Sequence, residues 1–206
     1  MQETNAIFSI IVLLMSVIIH EVAHGYTALA FGDPTAKIGG RLTLNPLKHL
    51  DPFGSVILPL LLFVSGSTFL IGWAKPVMIN PYNFKKPRRD EALVALAGPV
   101  SNIILALFFG LLIRLGPTLS LPDSAMYILN MVVFINLILA CFNLVPIPPL
   151  DGSKILFSLL PVRFDAVRAK IEKFGFVLVI FFVFFLWQYF APIVFKVYSC
   201  VVGIIC

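Results

Sequence analysis

Long apolar runs dominate the sequence, and four of them are long enough to cross a lipid bilayer. They cover roughly Ala6–Phe31, Asp90–Leu115, Ser124–Val145 and Phe174–Cys206. A helix rises 1.5 Å per residue, so about 20 apolar residues cross a hydrocarbon core about 30 Å thick. Only 12% of the residues are charged, about half the share in an ordinary soluble domain. The sequence therefore predicts an all-α membrane protein, a polytopic bundle of transmembrane helices, rather than a soluble fold.

The segment between the first two clear spans is harder to interpret. Residues 53–72 are apolar but barely of span length, and Pro59 and the Ser65–Ser67 triplet interrupt them. They form either one full span or a re-entrant hairpin, since irregular backbone is tolerated inside a membrane where protein covers it. Alternation near residues 37–44, and an extended piece near 75–80, favour short β-strands. We expect a small β-strand and re-entrant element here.

The first apolar run contains a metal-binding pattern, H-E-x-x-H, at His20, Glu21 and His24. Residues four apart lie on one face of a helix, so both imidazoles can reach one ion, and the adjacent glutamate can reach a water on that ion. Zinc favours imidazole nitrogen and carboxylate oxygen as ligands. Ionisable groups inside a membrane helix are costly and usually functional. The pattern predicts a metal site inside the bilayer.

A catalytic zinc site usually has three protein ligands, so a third is needed. The most distinctive candidate is Asp151, which follows the proline-rich stretch Pro146–Leu150 and precedes Gly152. Prolines prevent a regular helix there, and the glycine permits a sharp turn after the aspartate. His49, the remaining histidine, has no helical pairing with the first motif, and we expect it to have a structural or interfacial role.

These motifs resemble those of the site-2 protease family of intramembrane zinc metalloproteases. The first is His20-Glu21-x-x-His24, and the second is Asn143 followed by Leu150-Asp151-Gly152; Ala97-Gly98-Pro99 is a further similar feature. The resemblance covers roughly residues 6–152. It implies one zinc ion held by His20, His24 and Asp151, with Glu21 as the general base.

The same resemblance gives Asn143 a role in holding the substrate or the oxyanion. It also implies that the substrate is a transmembrane protein or peptide, cut within the membrane by a zinc-activated water. The chain is similar to the compact prokaryotic members without PDZ or CBS domains. We therefore expect a single domain (1–206) with a core at 6–152 and a C-terminal membrane region at 174–206, in a prokaryotic cell membrane.

The distribution of basic residues predicts the orientation. The two ligand-bearing spans must run parallel to bring their motifs to one depth, which requires residues 53–72 to enter and return. Thirteen of the fifteen basic residues then fall on one side: Lys37, Arg41, Lys48, Lys75, Lys85, Lys86, Arg88, Arg89, Lys154, Arg163, Arg168, Lys170 and Lys173. By the positive-inside rule the zinc lies nearer the cytoplasmic face.

Other functions fit the same sequence less well. The net charge of +5 arises between apolar runs, so it does not predict nucleic-acid binding. A membrane zinc protein without protease activity would not need Glu21. A metal-dependent transporter would more naturally show internal repeats, and none is apparent. Asn102 and Asn136 are expected to join helices by hydrogen bonds. The sequence does not predict the oligomeric state.

Overall fold

The protein is a bundle of helices. Its structure is a computed structural model, which describes residues 2–51, 57, 61 and 75–204. Its helices are α1 (Gln2–Ala30), α2 (Thr35–Ile38), α3 (Pro87–Leu115), α4 (Asp123–Asn143), α5 (Asp151–Leu159), α6 (Asp165–Lys173) and α7 (Gly175–Val202). Single 3₁₀ turns lie at Pro46–Lys48, Pro81–Asn83 and Val162–Phe164.

Four of these helices are long and apolar enough to cross a membrane: α3, α4, α7 and, over Ile7–Ala30, α1. They have 21 to 29 residues and mean hydropathies of 2.1 to 2.3. Their length and composition confirm the four clear spans predicted from the sequence. The protein is therefore an integral, multi-pass membrane protein.

Helices α1 and α3 pack side by side in opposite directions. Ser16 accepts a hydrogen bond from Asn102, whereas His24, two turns further along α1, bonds the carbonyl of Val94, two turns earlier in α3. The end of α1 and the start of α3 therefore lie at the same end of the bundle. We call this the proximal end and the opposite one the distal end.

Helix α4 runs in the same direction as α1, as predicted for the two motif-bearing spans. Ser9 bonds Met131, and Ser16 accepts a hydrogen bond from Asn136 one turn later in α4. Helix α7 then runs back toward the distal end, where Tyr198 donates a hydrogen bond of 2.6 Å to Asn130. Both motif-bearing segments thereby reach the proximal end.

A glycine ends α1 just beyond the first motif. Gly32 has φ +101°, the left-handed conformation that glycine adopts without strain. The N–H groups of Gly32 and Asp33 bond the carbonyls of Leu29 and Ala28 at 3.1 and 2.9 Å, which satisfies the last carbonyls of the helix. This is a Schellman motif, and it places Asp33 at the helix exit.

Asp33 then ties the exit of α1 to the segment that leads into α3. Its buried carboxylate accepts hydrogen bonds from the backbone of Thr35, from the backbone of Asn80 at 2.7 Å, and from the side chain of Asn83 at 2.7 Å. The chain from 75 to 83 is thereby held against the proximal end of α1.

The β-strand prediction is wrong for residues 37–44 and 75–80, because the described residues contain no strand. The first segment instead begins within α2, where Ile38 and Gly39 bond the carbonyls of Pro34 and Thr35. These local bonds satisfy the backbone without a partner strand, so four alternating residues were too short a signal. The predicted re-entrant segment, 53–72, lies outside the described residues apart from 57 and 61.

The chain between α4 and α7 is partly helical. It contains helices α5 and α6, and Asp151 is the first residue of α5. Pro192 lies inside α7 without ending it. The irregularity is a π-helical turn at Phe182–Leu186, earlier in the same span. Membrane helices tolerate such local adjustments where neighbouring groups satisfy the backbone.

Candidate metal centre

Three side chains meet inside the proximal half of the bundle: His20, His24 and Asp151. Both histidine Nε2 atoms lie 3.1 Å from Asp151 Oδ2, and they lie 3.0 Å from each other. All three residues are buried, at 5–6% exposure. Ligand atoms placed tetrahedrally at 2.0–2.1 Å from zinc are about 3.3 Å from one another. The three atoms here are therefore spaced nearly as they would be around one zinc ion.

The backbone of α3 fixes the orientation of the His24 ring. His24 Nδ1 lies 2.6 Å from the carbonyl oxygen of Val94, which can only accept a hydrogen bond. Nδ1 must therefore carry the proton, and in the neutral ring Nε2 presents a lone pair toward His20 and Asp151. Such a hydrogen bond on the far nitrogen is the usual way in which proteins orient a metal-binding histidine.

A chain of buried side chains fixes the His20 ring in the same way. Asn136 donates through Nδ2 to the Val132 carbonyl and to Ser16 Oγ, both at 2.9 Å, so its Oδ1 is the acceptor for Asn102. Asn102 donates to that oxygen at 2.8 Å and turns its own Oδ1 toward His20 Nδ1, 2.5 Å away. His20 Nδ1 therefore donates, and its Nε2 also presents a lone pair to the centre.

The centre can consequently hold a cation. Two imidazole lone pairs and a carboxylate oxygen converge within 3.1 Å, and acceptors this close repel one another unless a positive charge lies between them. Gly98 of α3 supplies the space. A Cβ there would lie 2.5 Å from the Nε2 atoms of both histidines, so only glycine leaves the ligand face open.

Glu21 lies beside the ligands and completes the first motif. One of its carboxylate oxygens lies within 4.8 Å of a ring nitrogen of His20 and of His24, and the three residues form a group that could hold a metal ion. The Glu21 Oε2 atom accepts a hydrogen bond of 2.8 Å from the backbone N–H of Val77. This contact fixes the carboxylate and places the segment around Val77 directly over the centre.

The loop after α4 delivers Asp151. Gly152 passes so close to the backbone of Leu144 that a Cβ would lie 2.2 Å from its carbonyl oxygen, so the start of α5 can pack there only with glycine. Gly152 is thus needed for close packing rather than for the sharp turn expected from the sequence. The second carboxylate oxygen of Asp151, Oδ1, lies 3.3 Å from the ammonium of Lys154.

Asp151 is ionised in this setting. Burial would raise its pKa, but its contacts with His20 and His24 and the positive charge of Lys154 outweigh burial and hold the pKa well below its usual range. A carboxylate that keeps its charge while buried is the form that binds a metal. The electrostatics of the loop therefore agree with a ligand role.

Two candidates from the sequence lie apart from this cluster. Asn143, at the end of α4, donates through Nδ2 to the Leu139 carbonyl at 2.9 Å, and the described contacts include no bond from it to the ligands. His49 is fully buried and bonds the carbonyl of Thr43 at 2.8 Å, which fits a structural role in the loop.

Sequence reasoning missed part of what Asn102, Asn136 and Gly98 do. The two asparagines join helices as expected, but they also fix the proton on His20. Gly98 lies in the Ala97-Gly98-Pro99 stretch already noted as similar to the family, and its position against both imidazoles gives that stretch a physical reason. Buried amides in apolar helices were the only signal for the asparagines.

Comparison with known proteins decides the family. The family model described as peptidase family M50 matches residues 8–122 and 118–186, which together cover most of the chain. The chain belongs to peptidase family M50. Site-2 proteases are of this family, so the resemblance drawn from the motifs is confirmed, and membership supports a protease function.

Similar proteins have names that agree with a zinc protease. A Bacillus subtilis (strain 168) protein named "Putative zinc metalloprotease YwhC" is 43% identical over 176 residues, covering 82% of this chain and 77% of the relative. Rip2 of Mycolicibacterium smegmatis, which bears the same designation, is 33% identical over 171 residues, covering 81% and 62%. "Zinc metalloprotease MJ0392" of Methanocaldococcus jannaschii is 24% identical over 159 residues, covering 77% and 36%. No solved structure matches this M50 chain.

Proposed function

We propose that this protein is an intramembrane zinc protease that hydrolyses peptide bonds of membrane-spanning substrates. One zinc ion is held by His20, His24 and Asp151, and Glu21 is the general base. The observation that carries the proposal is the convergence of three buried acceptors within 3.1 Å of one another inside a membrane bundle. The names of the relatives support zinc as the ion.

When bound, zinc would supply the Lewis acid that lowers the pKa of water to about 7 and polarises a peptide carbonyl. The chain's own groups do the rest. Glu21 accepts the proton of the attacking water and returns it to the leaving amine. The hydrogen bond from Val77 holds one oxygen of Glu21 in place, so that the other can face the water. Asn143 would hold the substrate or the oxyanion.

A cavity of about 200 Å³ beside His24 supports a binding place for substrate. It lies between α1, α3, α5 and residues 77–81, and is lined by His24, Val77, Ile79, Pro81, Glu91, Val94, Ala95 and Lys154. Its walls are mainly apolar and it reaches a proposed ligand. An unwound substrate segment could place one side chain here while its peptide bond faces the centre.

The segment from Lys75 to Asn80 is suited to pair with such an unwound substrate. Lys75 and Val77 direct their N–H groups inward, to the His49 carbonyl and to Glu21. In extended chain the intervening residues point their N–H groups to the opposite side, which leaves Met78, 53% exposed, on the outer edge. Peptides commonly add to an exposed backbone edge of this kind.

Orientation follows from charge. Of the fifteen basic residues, thirteen belong to the proximal end, whereas Arg114 and Lys196 belong to the distal half. By the positive-inside rule, we place the proximal end and the zinc nearer the cytoplasm of a cell membrane. An epitope inserted between α3 and α4 should be reached by antibody in intact spheroplasts, and detection only after permeabilisation would reverse the orientation.

The decisive experiment uses purified protein and a membrane-spanning peptide in proteoliposomes. Glu21→Gln should abolish cleavage while zinc content stays at the wild-type value, because the base is lost but the ligands remain. Glu172→Gln, a matched change on exposed α6, should cleave at the wild-type rate. Cleavage by Glu21→Gln at an undiminished rate would remove Glu21 from the reaction, and absence of cleavage by the wild type would favour a metal-binding protein without protease activity.

A further inference from the structure

A groove of about 560 Å³ lies between α3 and α7 in the distal half of the bundle, far along both helices from the metal centre. Its apolar wall consists of Leu107 and Leu111 from α3 with Val197 and Val201 from α7. Two cationic side chains, Arg114 and Lys196, line the same groove. They are the two basic residues of the chain that do not belong to the proximal end. Their presence in one apolar groove needs an explanation.

Arg114 is held in a fixed position at one end of the groove. Its Nε atom donates to the carbonyl of Val201 at 2.9 Å, and one of its terminal nitrogens donates to the carbonyl of Cys200. These bonds tie the last turn of α3 to the last turn of α7. They leave further N–H groups of the exposed guanidinium available, since arginine has five donors.

Lys196 has no such partner. Within the part of the chain that the structure describes, its ammonium makes no hydrogen bond or ion pair, and no carboxylate lines the groove. It lies six residues before the end of α7, about 9 Å inside the span. An ionisable group at such a depth calls for an opposite charge nearby.

We propose that this groove binds an anionic phospholipid of the distal leaflet. The phosphate lies between the Arg114 guanidinium and the Lys196 ammonium, and an acyl chain lies along the apolar wall. Leu107 and Arg114 are seven residues apart, about 10 Å along α3, so the wall continues from headgroup depth into the hydrocarbon region. Arginine and lysine are the usual phosphate-binding side chains, and basic pockets between membrane helices bind anionic headgroups.

The occupant is a lipid rather than a protein segment because the groove lies in the distal half of two membrane-spanning helices and combines two cations with an apolar wall of four side chains. A phospholipid carries both complementary parts in one molecule. An anionic lipid has no second charge of its own to offset the phosphate, so it gains more from two cations than a zwitterionic lipid does. The site is independent of the protease proposal, since none of its residues contacts the metal centre.

The test is lipid binding to the purified full chain, measured by native mass spectrometry during titration with phosphatidylglycerol or phosphatidylcholine. Wild type should retain one phosphatidylglycerol per chain in preference to phosphatidylcholine. Lys196→Met, which keeps the length of the side chain, should weaken phosphatidylglycerol binding roughly tenfold, and Lys196→Arg should restore it. Lys170→Met, a matched change on proximal helix α6, should bind as wild type does.

Zinc content serves as the folding control, because the groove is remote from the centre; each variant should keep it. Equal retention of phosphatidylglycerol by wild type and Lys196→Met would overturn the proposal. Equal affinity of the wild type for the two lipids would overturn it as well, as would displacement of bound phosphatidylglycerol by a neutral membrane-spanning peptide.

Discussion

The two halves of the bundle hold their helices together by different means. In the proximal half, α1, α3 and α4 meet through buried polar groups, including Ser16, Asn102 and Asn136. From the level of Asn136 toward the distal end, α3, α4 and α7 meet through an apolar cluster of Ala106, Ile113, Val133, Leu137, Val194 and Val202. The same two helices, α3 and α4, take part in both.

Because of this difference, substitutions in the two halves should change different properties of the protein. Lipid tails are as apolar as the helix surfaces, so two helices gain little free energy by exchanging lipid contacts for contacts with each other. Close packing and hydrogen bonds therefore hold a membrane bundle together. The distal half relies mainly on packing, with a few hydrogen bonds such as that from Tyr198 to Asn130, and changes there should alter stability while the metal site survives. The proximal half uses hydrogen bonds whose directions are set by backbone carbonyls, so changes there should alter metal binding first.

Two glycines on α3 provide the sharpest test, and the largest expected effect. A Cβ at Gly98 would lie 2.5 Å from Nε2 of both His20 and His24, whereas one at Gly110 would lie 2.3 Å from a methyl group of Val201. Gly98→Ala should reduce zinc from about one ion per chain to almost none, because the methyl group enters the ligand face. Gly110→Ala should keep its zinc.

Metal analysis and thermal unfolding in detergent measure both properties. Overpacking at Gly110 should destabilise the protein by about 1–3 kcal/mol, since Val201 must shift. If Gly98→Ala bound zinc as tightly as wild type, the ligand face would not be where the structure places it. If Gly110→Ala lost zinc, the two halves would not be separable.

An asparagine pair on α4 gives the next effect. Asn136→Leu removes the acceptor that holds the side chain of Asn102 in place, so the Asn102 amide can rotate. The proton of His20 is then no longer fixed on Nδ1. Zinc affinity should fall about 10- to 100-fold, the usual effect of losing an outer-shell partner. Asn130→Leu, on the same helix, breaks a hydrogen bond to Tyr198 in the distal half and should leave zinc affinity unchanged.

Nitrogen NMR of the imidazoles distinguishes this positioning role from a general loss of packing. In the zinc-free Asn136→Leu protein, His20 should show a mixture of tautomers, while His24 should keep its proton on Nδ1 because Val94 still accepts it. Identical changes in both rings would indicate collapse of the site instead.

The smallest effect concerns Asp33 at the exit of α1. Burial would raise its pKa, but hydrogen bonds from Thr35, Asn80 and Asn83 hold that pKa below its ordinary value. A lowered pKa contributes stability that is present above about pH 4 and lost as the pH falls through the folded value. Asp33→Asn should therefore destabilise by about 1–3 kcal/mol at neutral pH.

The difference between Asp33→Asn and wild type should shrink as the pH drops below about 4, in thermal unfolding measured in detergent. A difference independent of pH would show that the carboxylate charge does not hold the loop. Zinc affinity should change less than in Asn136→Leu, because Asp33 contacts the loop and not the ligands.

The convergence of His20, His24 and Asp151 could be predicted from the sequence because its signals are local. The spacing of His20 and His24 places them on one helix face wherever that helix lies, and the proline-rich stretch before Asp151 prevents a helix there regardless of partners. The parallel direction of α1 and α4 followed from requiring one depth for both motifs. Apolar runs gave the four spans for the same reason.

What the sequence could not predict depends on how helices align in three dimensions. Asn102 and Asn136 are 34 residues apart, and only the register of α3 against α4 brings them to His20. The predicted strand near Arg41–Leu44 failed because short-range bonds to Pro34 and Thr35 satisfied the neighbouring backbone. Both cases concern contacts that alternation and composition do not encode.

Zinc-edge X-ray absorption on the purified protein, alongside Asp151→Ala, tests the metal centre most directly. The wild type should show two imidazoles and carboxylate or water oxygen at about 2.0–2.2 Å, with no sulfur. Asp151→Ala should lose an oxygen ligand and bind zinc far more weakly. An unchanged spectrum and affinity in Asp151→Ala, or sulfur in the wild-type spectrum, would contradict a single ion held by His20, His24 and Asp151.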